Sequence, residues 1–173
     1  AMDKPNTAIF GVHNGTNPLE TLLPAFTSKI IGQSNPMVGM TNTISVTLAT
    51  NYNLAAGSKV TITGLRGATT ANSTALNLSS TGELLGVSGL WTQHDGSLVL
   101  TAASNGTVSG STYTFSFQLT NPASPQPSPA VSASASIRDG SGFVIGSILL
   151  TGMTTPGTPL YGVPNGADPL RVI

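Results

Sequence analysis

The sequence contains few charged residues and no cysteine. Charged side chains make up 7% of the 173 residues, and six basic and six acidic groups cancel to a formal net charge of zero. Nucleic-acid-binding proteins need a basic surface to displace counterions, and membrane-surface modules need a basic cluster, so the composition excludes both classes. Without cysteine there is no disulfide, no thiolate nucleophile and no cysteine-ligated zinc site.

Long apolar runs are also missing. No stretch of about 18 apolar residues occurs, so no segment is predicted to insert into a membrane. Polarity comes instead from 24 Thr, 20 Ser and 12 Asn, accompanied by 20 Gly and 12 Pro. This composition is typical of secreted surface proteins, and we expect an extracellular or cell-surface location.

Groups that could support catalysis are sparse. None of the six acidic residues has a second carboxylate within a few positions, the two histidines lack metal-ligand spacing, and no G-x-S-x-G pentapeptide occurs. We therefore predict that the protein is not an enzyme and uses no cofactor. The stretch from Asp139 to Gly142 predicts a hairpin turn. The alternative interpretation is a calcium site with Asp139 as a ligand.

Alternation with a period of two predicts an all-β fold. Five stretches alternate in this way, which is typical of strands that bury one face. Their inward-facing residues are Ile44, Val46 and Leu48; Val60 and Ile62; Leu98 and Leu100; Tyr113, Phe115, Phe117 and Leu119; and Val131, Ala133, Ala135 and Ile137. Further strands are predicted near residues 8–12, 38–40, 75–78, 84–87 and 144–150. We expect an antiparallel β-sandwich, Ig-like or jelly-roll-like, with one short helical turn allowed near residues 18–23.

A repeat links the two ends of the chain. Residues 5–19 (PNTAIFGVHNGTNPL) and 156–170 (PGTPLYGVPNGADPL) share eight of fifteen residues at an offset of 151. We therefore predict a β-sandwich repeat unit at residues 1–155, starting near residue 5. Residues 156–173 would then be a linker and the beginning of the next tandem repeat, and both ends of the chain would lie within a longer protein. The apolar residues after Pro159 should pack either on this unit or on another copy.

Two kinds of surface site follow from single residues. Tyr52, Trp91, His94 and Asp95 are candidates for a carbohydrate platform. The favoured interpretation of Trp91, however, is a core residue, and Tyr52 is equally interpreted as a loop residue packed on a neighbouring domain. Asn14, Asn72, Asn77 and Asn105 lie in N-x-S/T sequons and are candidates for glycosylation. Short Thr/Ser ranks at residues 43–47 and 112–116 raise ice binding as a weaker alternative.

Three segments resemble repeat modules of very large extracellular proteins of algae and other marine protists. These segments are residues 41–69 (beginning TNTISVTLATNYNL), Gly96–Leu100 and Tyr113–Pro122, and the resemblance extends over most of residues 30–140. It implies a secreted or surface-attached repeat protein with an adhesive or cell-coat role, and it brings no catalytic residues. The expected partners are neighbouring repeats and, for a carbohydrate-binding module, an extracellular polysaccharide or matrix.

Overall fold

The computed structural model describes residues 3–19, 21–80 and 85–173, and within them the chain forms ten β-strands. The strands are β1 (Phe26–Gln33), β2 (Thr41–Thr50), β3 (Lys59–Thr63), β4 (Ser73–Asn77), β5 (Ser79–Ser80), β6 (Ser88–Thr92), β7 (Ser97–Thr101), β8 (Thr112–Thr120), β9 (Ser132–Arg138) and β10 (Val144–Gly152). In the described part of the chain, no helix is long and apolar enough to cross a membrane.

The strands form two antiparallel sheets. One sheet has four strands in the order β1-β2-β8-β5, and the other has six in the order β10-β9-β3-β7-β6-β4. The prediction of an all-β sandwich is therefore confirmed.

The core lies between the sheets and follows the predicted alternation. In the four-stranded sheet, Ile44 on β2 lies opposite Phe117 on β8, and Val46 lies opposite Phe115. All four side chains are buried, as are Val60, Ile62, Leu98 and Leu100 of the six-stranded sheet. Each such side chain contributes about 1.5–3 kcal/mol on burial, so this apolar layer is the main source of stability.

Several local predictions were wrong. Residues 8–12 and 38–40 form turns rather than strands, and residues 85–87 precede β6 instead of belonging to a strand. Leu84 lies outside the described residues. No helical turn forms at residues 18–19 or 21–23, because Leu19 has a φ of 63°, which a right-handed helix cannot contain. Glu20 lies outside the described residues.

The two ends of the sandwich are distinct and are named here by one residue each. At the Gln33 end, β1 finishes, β2 begins and β8 finishes, since Gln33 pairs with Ile44 and Thr41 pairs with Thr120. At the Tyr52 end, β2 finishes and runs into the loop that carries Tyr52. The nine residues of β8 separate the two ends by about 30 Å.

Candidate functional site

Tyr52 lies in the loop at its own end of the sandwich and is half-buried. Its ring stacks on Phe10, with centroids 5.3 Å apart and planes inclined by 23°. Burial raises the pKa of the Tyr52 phenol above its ordinary value. One face of the ring is thus covered by the N-terminal segment of the same chain.

Trp91, His94 and Asp95 lie towards the opposite, Gln33 end. Trp91 is 1% exposed, and its indole N–H donates a 3.0 Å hydrogen bond to the Thr70 carbonyl. Trp91 is therefore a core residue, as one of its two interpretations predicted. His94 and Asp95 are exposed in the turn between β6 and β7. The four residues do not form one platform, because Tyr52 is at the far end and Trp91 offers no ring face to a ligand.

Asp139 lies in the hairpin turn between β9 and β10. Its Oδ1 accepts 2.9 Å hydrogen bonds from the backbone N–H groups of Ser141 and Phe143, which is the hairpin turn expected from the sequence. Among the described residues, no group of three or more His, Asp or Glu side chains is placed to hold a metal ion.

The four predicted sequons differ in accessibility. Asn72, Asn77 and Asn105 are exposed, whereas Asn14 is half-buried within a turn and has a φ of 56°. The Oδ1 atom of Asn72 already accepts a 2.8 Å hydrogen bond from the Gln93 backbone N–H.

The two repeat copies fold into the same turn structure, which we call the joint segment: residues 5–19 are its N-terminal copy and residues 156–170 its C-terminal copy. Positive φ angles occur at equivalent positions: Asn6 and Gly157 (52° and 62°), Phe10 and Tyr161 (50° and 49°), Gly11 and Gly162 (76° and 78°), Asn14 and Asn165 (56° and 55°), and Leu19 and Leu170 (63° and 53°). Five shared positive-φ positions in fifteen residues define one specific backbone.

Hydrogen bonds within the two copies also match. Val12 N–H donates to the Ile9 carbonyl at 2.9 Å, and Val163 N–H donates to the Leu160 carbonyl at 2.9 Å. The closing contact is equivalent as well: Asn17 Oδ1 accepts from Asn6 N–H at 3.2 Å, and Asp168 Oδ1 accepts from Gly157 N–H at 2.7 Å. The sequence identity therefore corresponds to a shared structure.

The C-terminal copy is docked on the Gln33 end through Gln33, which belongs to a buried network of three side-chain amides that we call the amide cluster: Gln33, Asn42 and Asn121. Asn42 Nδ2 donates to Gln33 Oε1 at 2.7 Å and to Asn121 Oδ1 at 2.8 Å. Gln33 Nε2 in turn donates to the carbonyls of Gly166 at 2.8 Å and Arg171 at 2.7 Å. A buried polar network of this kind fixes the orientation of what it binds, because each lost partner leaves a polar group unpaired.

Apolar burial accompanies these hydrogen bonds. Leu170 is 0% exposed, and Val172, two residues later, is buried too. Val172 exchanges two 3.0 Å backbone hydrogen bonds with Gln126, whose Nε2 also donates to the Leu170 carbonyl at 3.1 Å. Gly32 permits the close approach, since a Cβ there would lie 3.1 Å from Pro156 and 3.2 Å from the Ala167 carbonyl oxygen.

The N-terminal copy contacts the same sandwich at the Tyr52 end and with a different face. Besides the stacking of Phe10 on Tyr52, the Phe10 carbonyl accepts a 2.9 Å hydrogen bond from Asn53 N–H. A Cβ on Gly11 would collide with the Asn53 side chain and with Ser109. One sandwich therefore carries one copy of the joint segment at each end.

A polar groove of about 800 Å³ lies between the four-stranded sheet and residues 70–79. Hydroxyl and amide side chains dominate its lining, including Thr43, Asn77 and Gln118. Phe117 is the one aromatic residue among the lining residues, and it is buried. The groove offers hydrogen bonds without an aromatic stacking surface.

No protein-family model matches the chain, and no curated protein is significantly similar to it.

The amide cluster was missed by the sequence reasoning, although a signal was present. Asn42 precedes Ile44 in the inward-facing phase of β2, and Asn121 follows Leu119 in the inward-facing phase of β8. A polar residue at an inward position at a strand end predicts a buried hydrogen-bonded group. Its partners could not be identified from the sequence, because the bond from Asn42 to Asn121 spans 79 positions, although the bond from Asn42 to Gln33 spans nine.

Proposed function

We propose that the chain is a non-catalytic structural or adhesive module, one unit of a tandem repeat array in a secreted or cell-surface protein. The observation that carries this proposal is the presence of the same folded segment at opposite ends of one sandwich. In an array, each joint segment would end one unit and begin the next, so that units follow one another end to end. Neighbouring repeats are then its main partners.

The surface chemistry supports an adhesive role outside the cell. On the outer face of the four-stranded sheet, Thr47 pairs with Thr114 and Ser45 pairs with Ser116, and the Thr47 and Thr114 hydroxyl oxygens are 3.2 Å apart. With 7% charged residues there is little charge for salt to screen, so contacts made by these hydroxyls would persist at high ionic strength. Hydrated polysaccharide or matrix material presents matching hydrogen-bonding groups.

Two measurements test the array and its location. The complete transcript should encode further copies of residues 5–155, and an antibody against the purified chain should label unpermeabilised cells or their secreted coat. A single copy inside a protein confined to the cytosol would refute the proposal.

The alternative is a carbohydrate-binding module, and the polar groove favours it. Calorimetric titration with extracellular polysaccharides should then give saturable one-site binding that Gln118→Ala and Asn77→Ala weaken. Asn105→Ala is the matched control, because Asn105 is exposed but does not line the groove. Binding that is absent, or equally affected by all three variants, would dismiss this alternative.

A further inference from the structure

We propose that the exposed face of the N-terminal copy docks on the Gln33 end of a preceding unit, with Leu19 in the place that Leu170 occupies here. This inference rests on the proposed tandem array and names the partner of its first segment, which is a second copy of this fold. The joint would be a fixed connection rather than a flexible linker.

The two copies share one backbone but differ in how far their equivalent leucines are buried. Leu170 is 0% exposed in its docked copy, whereas the equivalent Leu19 is 97% exposed. A leucine held by the same positive-φ turn but left almost entirely in water has an unused binding face. The docked copy shows directly what covers that face.

The two copies also correspond in the residues that come directly after them. Val172, which is buried against Gln126, corresponds to Thr21, a side chain of the same branched shape. The next position is Ile173 in one copy and Leu22 in the other. Because Gln33 and Gln126 bind backbone carbonyls of the docked copy, they do not depend on the side chains that differ between copies.

The opposite face of the segment is likewise covered in one copy and exposed in the other. Phe10 stacks on Tyr52 of its own sandwich, while the equivalent Tyr161 is 78% exposed. Tyr161 therefore has the position and ring needed to stack on the Tyr52 of a following unit. Each joint segment has one face for the preceding sandwich and one for the following sandwich, and this chain shows each face occupied once.

A two-unit protein tests the inference: residues 1–155 followed directly by residues 5–173. We expect the two sandwiches to tumble as one rigid body in NMR relaxation and to give the scattering profile of a single elongated particle. Leu19→Ser in the second unit should abolish the coupling, so that each sandwich tumbles with the correlation time of a separate unit.

Leu19→Ser in the first unit is the matched control. No unit precedes that leucine, so the substitution should change neither the tumbling nor the scattering profile. Independent tumbling of the unsubstituted two-unit protein would overturn the inference, as would equal behaviour of the two variants. If Leu19→Ser in the second unit impairs folding, Gln33→Ala in the first unit is the second variant. It removes the side-chain hydrogen bonds of Gln33 to the carbonyls of the joint segment and of the position just after it, and it should loosen the same joint. A transcript with one unit would refute the array itself, whereas a flexible two-unit protein would refute only the fixed joint.

Discussion

Substituting Leu170 in the 173-residue chain measures how strongly the C-terminal copy is held. Leu170 is 0% exposed, and Leu→Ala at fully buried positions costs about 2–5 kcal/mol of unfolding free energy, the sum of lost apolar transfer and the cavity left behind. For a domain of this size, each kcal/mol lowers the melting temperature by about 2–4 °C. We therefore expect Leu170→Ala to lower the melting temperature by roughly 4–20 °C in calorimetry.

Leu19→Ala supplies the control for this substitution. It changes the same residue type on the same backbone turn, but Leu19 is 97% exposed, so the unfolding free energy should stay within about 0.5 kcal/mol of the unsubstituted value. Equal melting temperatures for the two variants would refute the docked position of the segment. Hydrogen exchange of the Val172 N–H, which binds the Gln126 carbonyl, should speed up in Leu170→Ala alone.

Four further substitutions test other contacts. Asn42→Ala should destabilise the fold by about 1–3 kcal/mol for each buried partner left unpaired, measured by urea unfolding, and a loss below 1 kcal/mol would contradict the role of the amide cluster. Gly11→Ala and Gly162→Ala both place a side chain at positive φ, at a cost of roughly 1–2 kcal/mol, but only the first also collides with Asn53 and should be the more destabilising. Stability should fall above about pH 10, because the raised pKa of Tyr52 lets the unfolded state ionise first, and Tyr52→Phe should reduce that alkaline loss without changing stability at pH 7.

The fold was predictable where alternation was long and regular. In β8, nine residues alternate without interruption, and the predicted inward-facing Phe115, Phe117 and Leu119 are all buried. β1 gave no such pattern, because Ile30 and Ile31 are adjacent and the strand shifts register between Phe26 and Ser28. β6 was missed because its inward-facing positions are Gly89 and Trp91 while Leu90 faces outward, so its sequence shows no apolar alternation.

The joint segment shows a different limit of sequence reasoning. Apolar residues at positions 8–12 suggested a strand, but positive φ at Phe10 and Gly11 reverses the chain instead. Glycine predicts such a conformation, whereas an aromatic residue does not, so local propensity favoured the wrong structure. The repeat itself was evident from identity alone, while the amide cluster required the tertiary fold that brings Gln33 beside Asn42 and Asn121.

The position of the two copies at opposite ends determines how the chain would respond to tension. A pull applied along an array would pass lengthwise through each sandwich and load the contacts of Gln33 and Gln126 with residues 156–173. If that segment came away, its 18 residues would extend to roughly 60 Å while the apolar layer between the sheets stayed intact. A joint that released before its unit unfolded would lengthen the array under load and could dock again when the load falls.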